Sequence, residues 1–352
     1  MRLKYYTILI LFIFVFRENI LSQSADKCIV SGSVTDQISG KALTLVNVYI
    51  SGTTYGASTS DSGTYCIERV PPGTYQLVFQ HIGYEIEARN IQIEMNQTYT
   101  LDAQLNPQIF NTEEISIQTT YPEEWQERLE FFARQFIGES ANAEECEIIN
   151  PQVLNFDINS ETDEFFAKTD SILQVKNNAL GYLLKVAIVD FKCVEDYLEY
   201  YHIYPRFELI KAVDIDEQEK WENNRKETYQ ASLKHFFATL ARNKMSEEHF
   251  KMLEANNIGW LSRGLGTFVD ENSLRISDTR SPLYKRFYLN NFLKISYSPE
   301  NIHPPSIIFL NQDFIVIDTL GNVITPQLLH VAGAWYERRV ADLLPMDYLP
   351  EN

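Results

Sequence analysis

Between residues 27 and 105 no apolar spacing of three or four residues persists long enough to make a helix; short runs rich in β-branched and aromatic residues alternate with turn residues. That punctuation confines the segment to a small all-β unit. The runs are Cys28–Thr35, Val46–Ser51, Thr64–Val70, Tyr75–Gln80, Ile91–Glu94 and Tyr99–Leu105, with Val46, Val48 and Ile50 on one face of their strand. Asp61-Ser62-Gly63 suits a tight turn with Gly63 at positive φ. Pro72-Gly73 suits another, proline presetting the second position and glycine taking a left-handed third. Strands at this spacing form a sandwich or barrel.

The run SGSVTDQISGKALTLVNVYISGTTYGASTSDSGTYCIERVPPGTYQLVFQHIGYEIEARNIQI resembles the carboxypeptidase regulatory-like, prealbumin-type domain of exported Bacteroidetes proteins. The resemblance rests on Gly32 and Val34, Gly52-Thr53, Gly56, Gly63 before Tyr65, Pro72-Gly73-Thr74-Tyr75 and Ile82-Gly83-Tyr84. One departure stands out. The family's Thr-Asp before the turn glycine is here Thr59-Ser60, with the acid moved to Asp61, so that turn needs a different hydrogen-bond pattern.

Preceding this unit, Arg2 and Lys4 lead into an apolar run, Tyr5 to Phe16, and then into small residues at Ser22, Ser24 and Ala25. That order is a signal peptide's, and such a run as a helix is too short for the hydrocarbon core of about 30 Å. The expected product is exported to the periplasm, outer membrane or cell surface, with residues 1–25 as signal and no integral span in the mature chain. Cys28 lacks the small residues a lipoprotein signal places before its cysteine. With 30 basic and 48 acidic residues, a formal charge of −18, general affinity for nucleic acid would work against the whole field. Cys28, Cys66, Cys146 and Cys193 allow buried thiols or one or two disulfides, and show no zinc spacing.

The expected fold is α+β overall: a sandwich over 26–106, a linker or strand over 107–120, and an α+β domain over 121–352 with an antiparallel sheet and a long helix. A helix begins at Pro122, carries Trp125, Leu129, Phe132, Ala133 and Phe136 as its stripe, and closes at Gly138. Residues 153–211 read as a meander of five or six strands. The long helix runs from about Asp216 to Lys244, and a shorter one over Ser246–Asn256 precedes a β-rich end. The words FARQFIGESANAEECEIINP, NALGYLLKVAIVDF, RKETYQASLKHFFATL and VADLLPMDYLP resemble an uncharacterised partner domain that follows the regulatory-like domain in such proteins; that resemblance implies architecture and no activity.

None of the six histidines has Glu three residues later, and glycine loops for nucleotides and the Gly-x-Ser-x-Gly elbow are absent. No catalytic residue, metal ligand or cofactor is therefore assigned. Glu199-Tyr-Tyr-His202 has helical metal spacing but lies in a strand-like run. Asp157, Glu161, Asp163, Glu164 and Asp170 read as a solvated acidic surface. Four residues form the candidate interaction stripe: Arg225, Tyr229 and Ser232, with His235 beside them, share a helix face that continues to Phe236. Against a ligand site stands a packing role, with Tyr229 and Phe236 in the core, Arg225 paired to a sheet carboxylate and His235 bonded to backbone. Tyr197, Tyr200, Tyr201 and Tyr204 offer either sugar stacking or cross-strand packing. The function expected is a non-catalytic envelope protein whose sandwich serves folding, docking or contact with an envelope protein or glycan. The alternatives are an enzyme of unfamiliar type and an accessory of outer-membrane transport.

Overall fold

A computed structural model describes residues 28–108, 123–297 and 304–350, except positions 160, 170, 196, 246 and 271 and the side chains of 28, 260 and 262. The expected signal peptide, residues 1–25, and most of the expected linker lie outside the described residues. The chain is α+β, with three large hydrophobic cores and a small fourth cluster among the described residues.

The first core is the sandwich. Its strands are β1 (Cys28–Asp36), β2 (Asn47–Ile50), β3 (Gly56–Ser58), β4 (Thr64–Glu68), β5 (Gly73–Gln80), β6 (Glu87–Ile93), β7 (Tyr99–Thr100) and β8 (Ala103–Leu105). One sheet runs β3-β2-β5-β6; in the other β1 pairs antiparallel with β4 and parallel with β7 and β8. The expected final strand is broken at Asp102, an exposed residue that accepts from the Ser33 amide (2.7 Å) and hydroxyl (2.8 Å). Gly32 is fixed by that crossing: a Cβ there would sit 2.2 Å from the Leu101 carbonyl oxygen. Val46, Val48 and Ile50 are fully buried between the sheets, as their alternation requires.

Two turn expectations fare differently. Gly63 is left-handed, φ 76°, and its amide donates to Ser60 O at 2.9 Å. The altered Thr59-Ser60 pair is accommodated because Thr59 Oγ1 accepts from the Val46 amide (2.9 Å) and donates to Leu43 O (2.6 Å), while Ser60 Oγ bonds Thr64 Oγ1 at 2.8 Å. Gly73, by contrast, is not left-handed; it opens β5 in extended form, and glycine is needed there because a Cβ would lie 2.6 Å from the Tyr75 ring.

In the middle region α1 (Glu123–Ile137) ends where Gly138 takes φ 102°, and its Phe132 and Phe136 stack at 4.8 Å in the second core. After α2 (Ala141–Glu144) come β9 (Cys146–Ile148), β10 (Leu154–Asn159), β11 (Glu164–Thr169), β12 (Leu173–Asn177), β13 (Tyr182–Val194) and β14 (Tyr197–Leu209). All pairs are antiparallel, but the sheet is no simple meander. The 13-residue β13 is long enough to take β12 along its first half and β11 along its second, with β14 covering its other edge.

The third region departs most from expectation. The single helix over 216–244 is two helices, α3 (Ile215–Tyr229) and α4 (Leu233–Ala241). The expected helix over 246–256 is instead a turn leading into β15 (Phe250–Ala255), because Phe250, Met252 and Ala255 bury in a strand paired with Phe292–Tyr297 rather than in a helical period; Ser246 lies outside the described residues. With α5 (Ile258–Ser262), β16 (Thr267–Val269), β17 (Ile276–Asp278), β18 (Tyr284–Tyr288), β19 (Phe292–Tyr297), β20 (Ser306–Leu310), β21 (Phe314–Asp318), β22 (Leu329–Gly333) and α6 (Ala334–Glu337), this region forms a five-stranded sheet, β16-β15-β19-β20-β22, and a three-stranded one, β17-β18-β21. Helix α4 fills the core between them with Phe236, Phe237 and Leu240.

The regions interlock. Beyond its sandwich-facing residues, β2 also buries Tyr49, which with Val78 packs on Ala187 and Tyr204 of the middle sheet, its hydroxyl donating to Tyr204 O at 3.0 Å. The adjoining loop pairs with the edge of β14: Gly52 N donates to Pro205 O (2.6 Å) and Phe207 N to Thr53 O (3.0 Å). Residues 338–348 then lace all three regions. Val340 and Ala341 enter the middle core, Met346 N donates to Gly52 O at 2.7 Å, and Asp347 accepts from the Thr54 amide (3.2 Å) and hydroxyl (2.7 Å). From α4 the Lys234 ammonium donates to the carbonyls of Pro345 (2.9 Å), Met346 (2.9 Å) and Tyr348 (2.8 Å). Burial in this carbonyl cage lowers the Lys234 pKa to about 8, opposed by the charges of Asp318 and Asp347. Among the described residues no helix is long and apolar enough to cross a membrane.

Candidate functional site

The interface between α3 and α4 decides the fate of the four stripe residues. Asp214 caps α3 by accepting from the Glu217 amide at 2.9 Å, and the helix ends at Gln230. Ala231 then takes φ 54°, which a non-glycine residue adopts only at a cost of about 1 kcal/mol or more. Its peptide groups are held in return: its amide donates to His235 Nδ1 (3.2 Å) and its carbonyl accepts from the Trp335 indole (2.6 Å). Ser232 caps α4, accepting from the His235 amide at 3.0 Å.

The break scatters the stripe. Arg225 turns to the middle sheet, donating from Nε to Leu180 O (2.7 Å) and from Nη2 to Gly181 O (3.4 Å) while lying 4.3 Å above the Tyr182 ring. Its partners are carbonyls and a π face, not the sheet carboxylate the packing alternative calls for. The Ser232 hydroxyl is occupied by its cap. Only Tyr229 and His235 stay together, rings 4.9 Å apart, beside a pocket of about 400 Å³ that Lys226, Arg242 and Glu248 also line. His235 is buried among Tyr229, Phe250 and Tyr297. Burial lowers its pKa, with the Glu248 carboxylate opposing. Because Nδ1 accepts from a backbone amide, the neutral ring carries its proton on Nε2, which faces Glu248 Oε2 at 3.4 Å. Both nitrogens are engaged, so this imidazole has no free lone pair to offer a substrate.

A larger concavity opens on the other side of the break. It measures about 1030 Å³, lies where the ends of α1 and α3 meet residues 334–342, and has Tyr197 at its lining. Arg338 donates to Thr228 O (2.6 Å) and Gln230 O (3.3 Å); Arg339 donates to Gln135 O (3.1 Å) and lies 4.5 Å over the Tyr336 ring. Gly138 makes room for Arg339, whose Cβ would stand 3.0 Å from a Cβ at that glycine. Asp342 accepts from Ser140 Oγ (3.0 Å) and Asn142 Nδ2 (2.8 Å). The nearby Cys146 thiol is pushed up to about 12, chiefly by burial, which makes it a poor nucleophile.

Sequence reasoning missed this cleft because its residues lie up to two hundred positions apart. Its one local signal is the Arg338-Arg339 pair in an acidic chain. The tyrosine run divides by exposure: Tyr197 and Tyr200 are 71% and 45% exposed, whereas Tyr201 packs edge-on to Phe136 and Tyr204 is buried under the sandwich. Asp157, Glu161 and Asp163 are exposed and Glu164 pairs with Lys192 at 2.8 Å; Asp170 lies outside the described residues. Glu199 and His202 sit on β14, a strand. Among the described residues no three His, Cys, Asp or Glu side chains gather as a metal-holding group. Cys66 is disulfide-bonded, Cys146 and Cys193 are in no disulfide, and the Cys28 side chain lies outside those described.

Comparison with known proteins gives one family match: residues 30–117 carry a CarboxypepD_reg-like domain. No curated protein matches the chain. Among solved structures, a type II cohesin-X-dockerin complex of Acetivibrio cellulolyticus is 22% identical, covering 32% of this chain and 75% of that one at a TM-score of 0.20. A DUF3823 family protein from Bacteroides ovatus is 12% identical, covering 53% of this chain and 83% of that one at a TM-score of 0.16. A candidate carbohydrate-binding protein from Bacteroides uniformis is 12% identical, covering 51% and 78% at 0.17. At such TM-scores these likenesses carry no structural argument.

Proposed function

We propose that this is a non-catalytic cell-envelope protein in which the CarboxypepD_reg-like sandwich is a folding and docking module for the region that follows, and in which that region meets a glycan or protein of the envelope. The observation that carries the reading is the second buried face of β2. A strand of a free-standing sandwich buries alternate residues; here Tyr49, on the outward face, is only 1% exposed because the middle sheet covers it. The Gly52 to Thr54 loop then adds backbone bonds to β14 and to residues 346–347. Such a surface belongs to a module that holds its neighbour in place. The neighbour, in turn, presents the cleft beside Arg338 and Arg339. Residues 26–106 are the module and 121–352 the region it supports.

The test splits the chain in the linker. Residues 1–108 and residues 119–352 fused behind a second copy of residues 1–25, coexpressed as separate polypeptides, are expected to copurify from the envelope fraction as a one-to-one complex. Recovery of the two pieces apart, each folded, would sink the docking role; recovery in the cytosol with residues 1–25 retained would sink the envelope location.

A further inference from the structure

We infer that the cleft between α1, α3 and residues 334–342 binds a saccharide bearing carboxylate groups. This deepens the binding role proposed above and rests on it. The first ground is a set of arginines without ion pairs. Arg134, Arg338 and Arg339 all line the cleft, and among the described residues none of the three makes an ion pair. Elsewhere on this chain of net charge −18 cations do pair with carboxylates, as the half-buried Lys192 does with both Glu164 (2.8 Å) and Glu199 (2.9 Å). Glu139, Glu227, Glu337 and Asp342 line the cleft too; Asp342, whose charge acts on Arg338, accepts from Ser140 and Asn142, and among the described residues none of the four pairs with these arginines.

The second ground is preorganisation. Arg338 and Arg339 are pinned by main-chain carbonyls and by the Tyr336 ring, yet those bonds use only part of the five N–H donors each guanidinium carries. Arg134 makes no hydrogen bond among the described residues and lies 5.6 Å from the Phe131 ring. Guanidinium forks held in place with donors to spare recognise carboxylates.

The third ground separates an acidic sugar from a small inorganic anion. At about 1030 Å³ the cleft exceeds what a phosphate needs and matches the upper end of ligand pockets, about 1,000 Å³. Tyr197 offers a 71% exposed ring at its wall, with no hydrogen bond among the described residues, suited to the C–H face of a sugar. Asn224 and the exposed Glu227 and Glu337 supply acceptors and donors for hydroxyl groups, and the same glutamates repel a ligand of dense negative charge.

The experiment is calorimetric titration of the mature chain with trigalacturonate, a hyaluronan hexasaccharide and sialyllactose, each beside a neutral counterpart: the methyl ester of the first two and lactose. The expected result is binding of at least one acidic sugar, weakened about tenfold or more in its neutral form, since a charge-assisted hydrogen bond is worth about 1.5–3 kcal/mol. Arg338 and Arg339 also hold backbone, so the informative variants are Arg134→Gln and Tyr197→Ala, each expected to weaken binding about fivefold or more while circular dichroism and melting stay as in the parent. No binding by any acidic sugar, equal binding of the neutral forms, or displacement by equimolar inorganic phosphate would overturn the inference. Binding of neutral sugars alone overturns it but leaves the envelope-binding role standing; time-dependent shortening of a sugar, read by chromatography, would instead overturn the non-catalytic role.

Discussion

Replacing Tyr49 tests whether the sandwich and the middle sheet are one structure. The side chain is 1% exposed, packs on Ala187 and Tyr204 and donates to the Tyr204 carbonyl at 3.0 Å. An aromatic side chain buries about 150–250 Å². At about 25 cal/mol per Å² that amounts to about 4–6 kcal/mol, of which the retained Cβ keeps a part. Tyr49→Ala should therefore cost about 3–5 kcal/mol, in line with aromatic truncations in cores. Tyr49→Phe should cost about 1 kcal/mol, the net worth of one hydrogen bond. The assay exploits the placement of the four tryptophans, Trp125, Trp221, Trp260 and Trp335, all of which follow the sandwich in the chain. Urea unfolding followed by tryptophan fluorescence sees only the rest of the molecule. If the sandwich is structurally joined to it, the fluorescence midpoint falls in Tyr49→Ala along with the circular-dichroism midpoint. A fluorescence transition that stays put while the β signal is lost earlier would refute the reasoning.

Two further outcomes follow from the geometry. The folded-state pKa of His235 is depressed by burial, so the unfolded chain binds the extra proton; stability is complete above the unfolded value of about 6.5 and is lost as pH falls through the folded one. The urea midpoint should therefore drop on going from pH 7 to pH 5, and a His235→Gln variant should show a shallower drop, whereas an unchanged slope would remove His235 as its source. Gly181 has φ 67°, and a Cβ there would stand 2.3 Å from the Trp221 ring. Gly181→Ala should then destabilise by about 3 kcal/mol or more and shift the tryptophan emission of the native protein; an unaltered spectrum and midpoint would show that the turn relaxes freely.

How legible these features are depends on how local their causes are. The sandwich is written in short-range terms: Val46, Val48 and Ile50 alternate inward and Gly63 turns the chain. Gly73 misleads because Pro-Gly marks both a left-handed turn and a strand start crowded by a neighbouring ring. The break between α3 and α4 contains no glycine or proline. Ala231 can be left-handed only because Trp335, 104 positions away, takes its carbonyl and His235 its amide. No window of sequence contains that bargain. Tyr49 reads as the solvent side of an alternating strand, and only the middle sheet makes it core. The cleft is less legible still, since α1, α3 and residues 334–342 meet only after each has folded; the stripe of Arg225, Tyr229, Ser232 and His235 assumed a continuous helix that the fold does not contain.

The lacing of residues 338–348 through every region bears on the order of events when the chain is made. A nascent polypeptide that has emerged only as far as residue 333 has its described strands, yet it lacks Val340 and Ala341 from the middle core and the carbonyls that cage Lys234. The sandwich, whose contacts are mostly local in sequence, can form early; the final cohesion of the other two regions waits for residues 338–348, which follow all of their described strands in the chain.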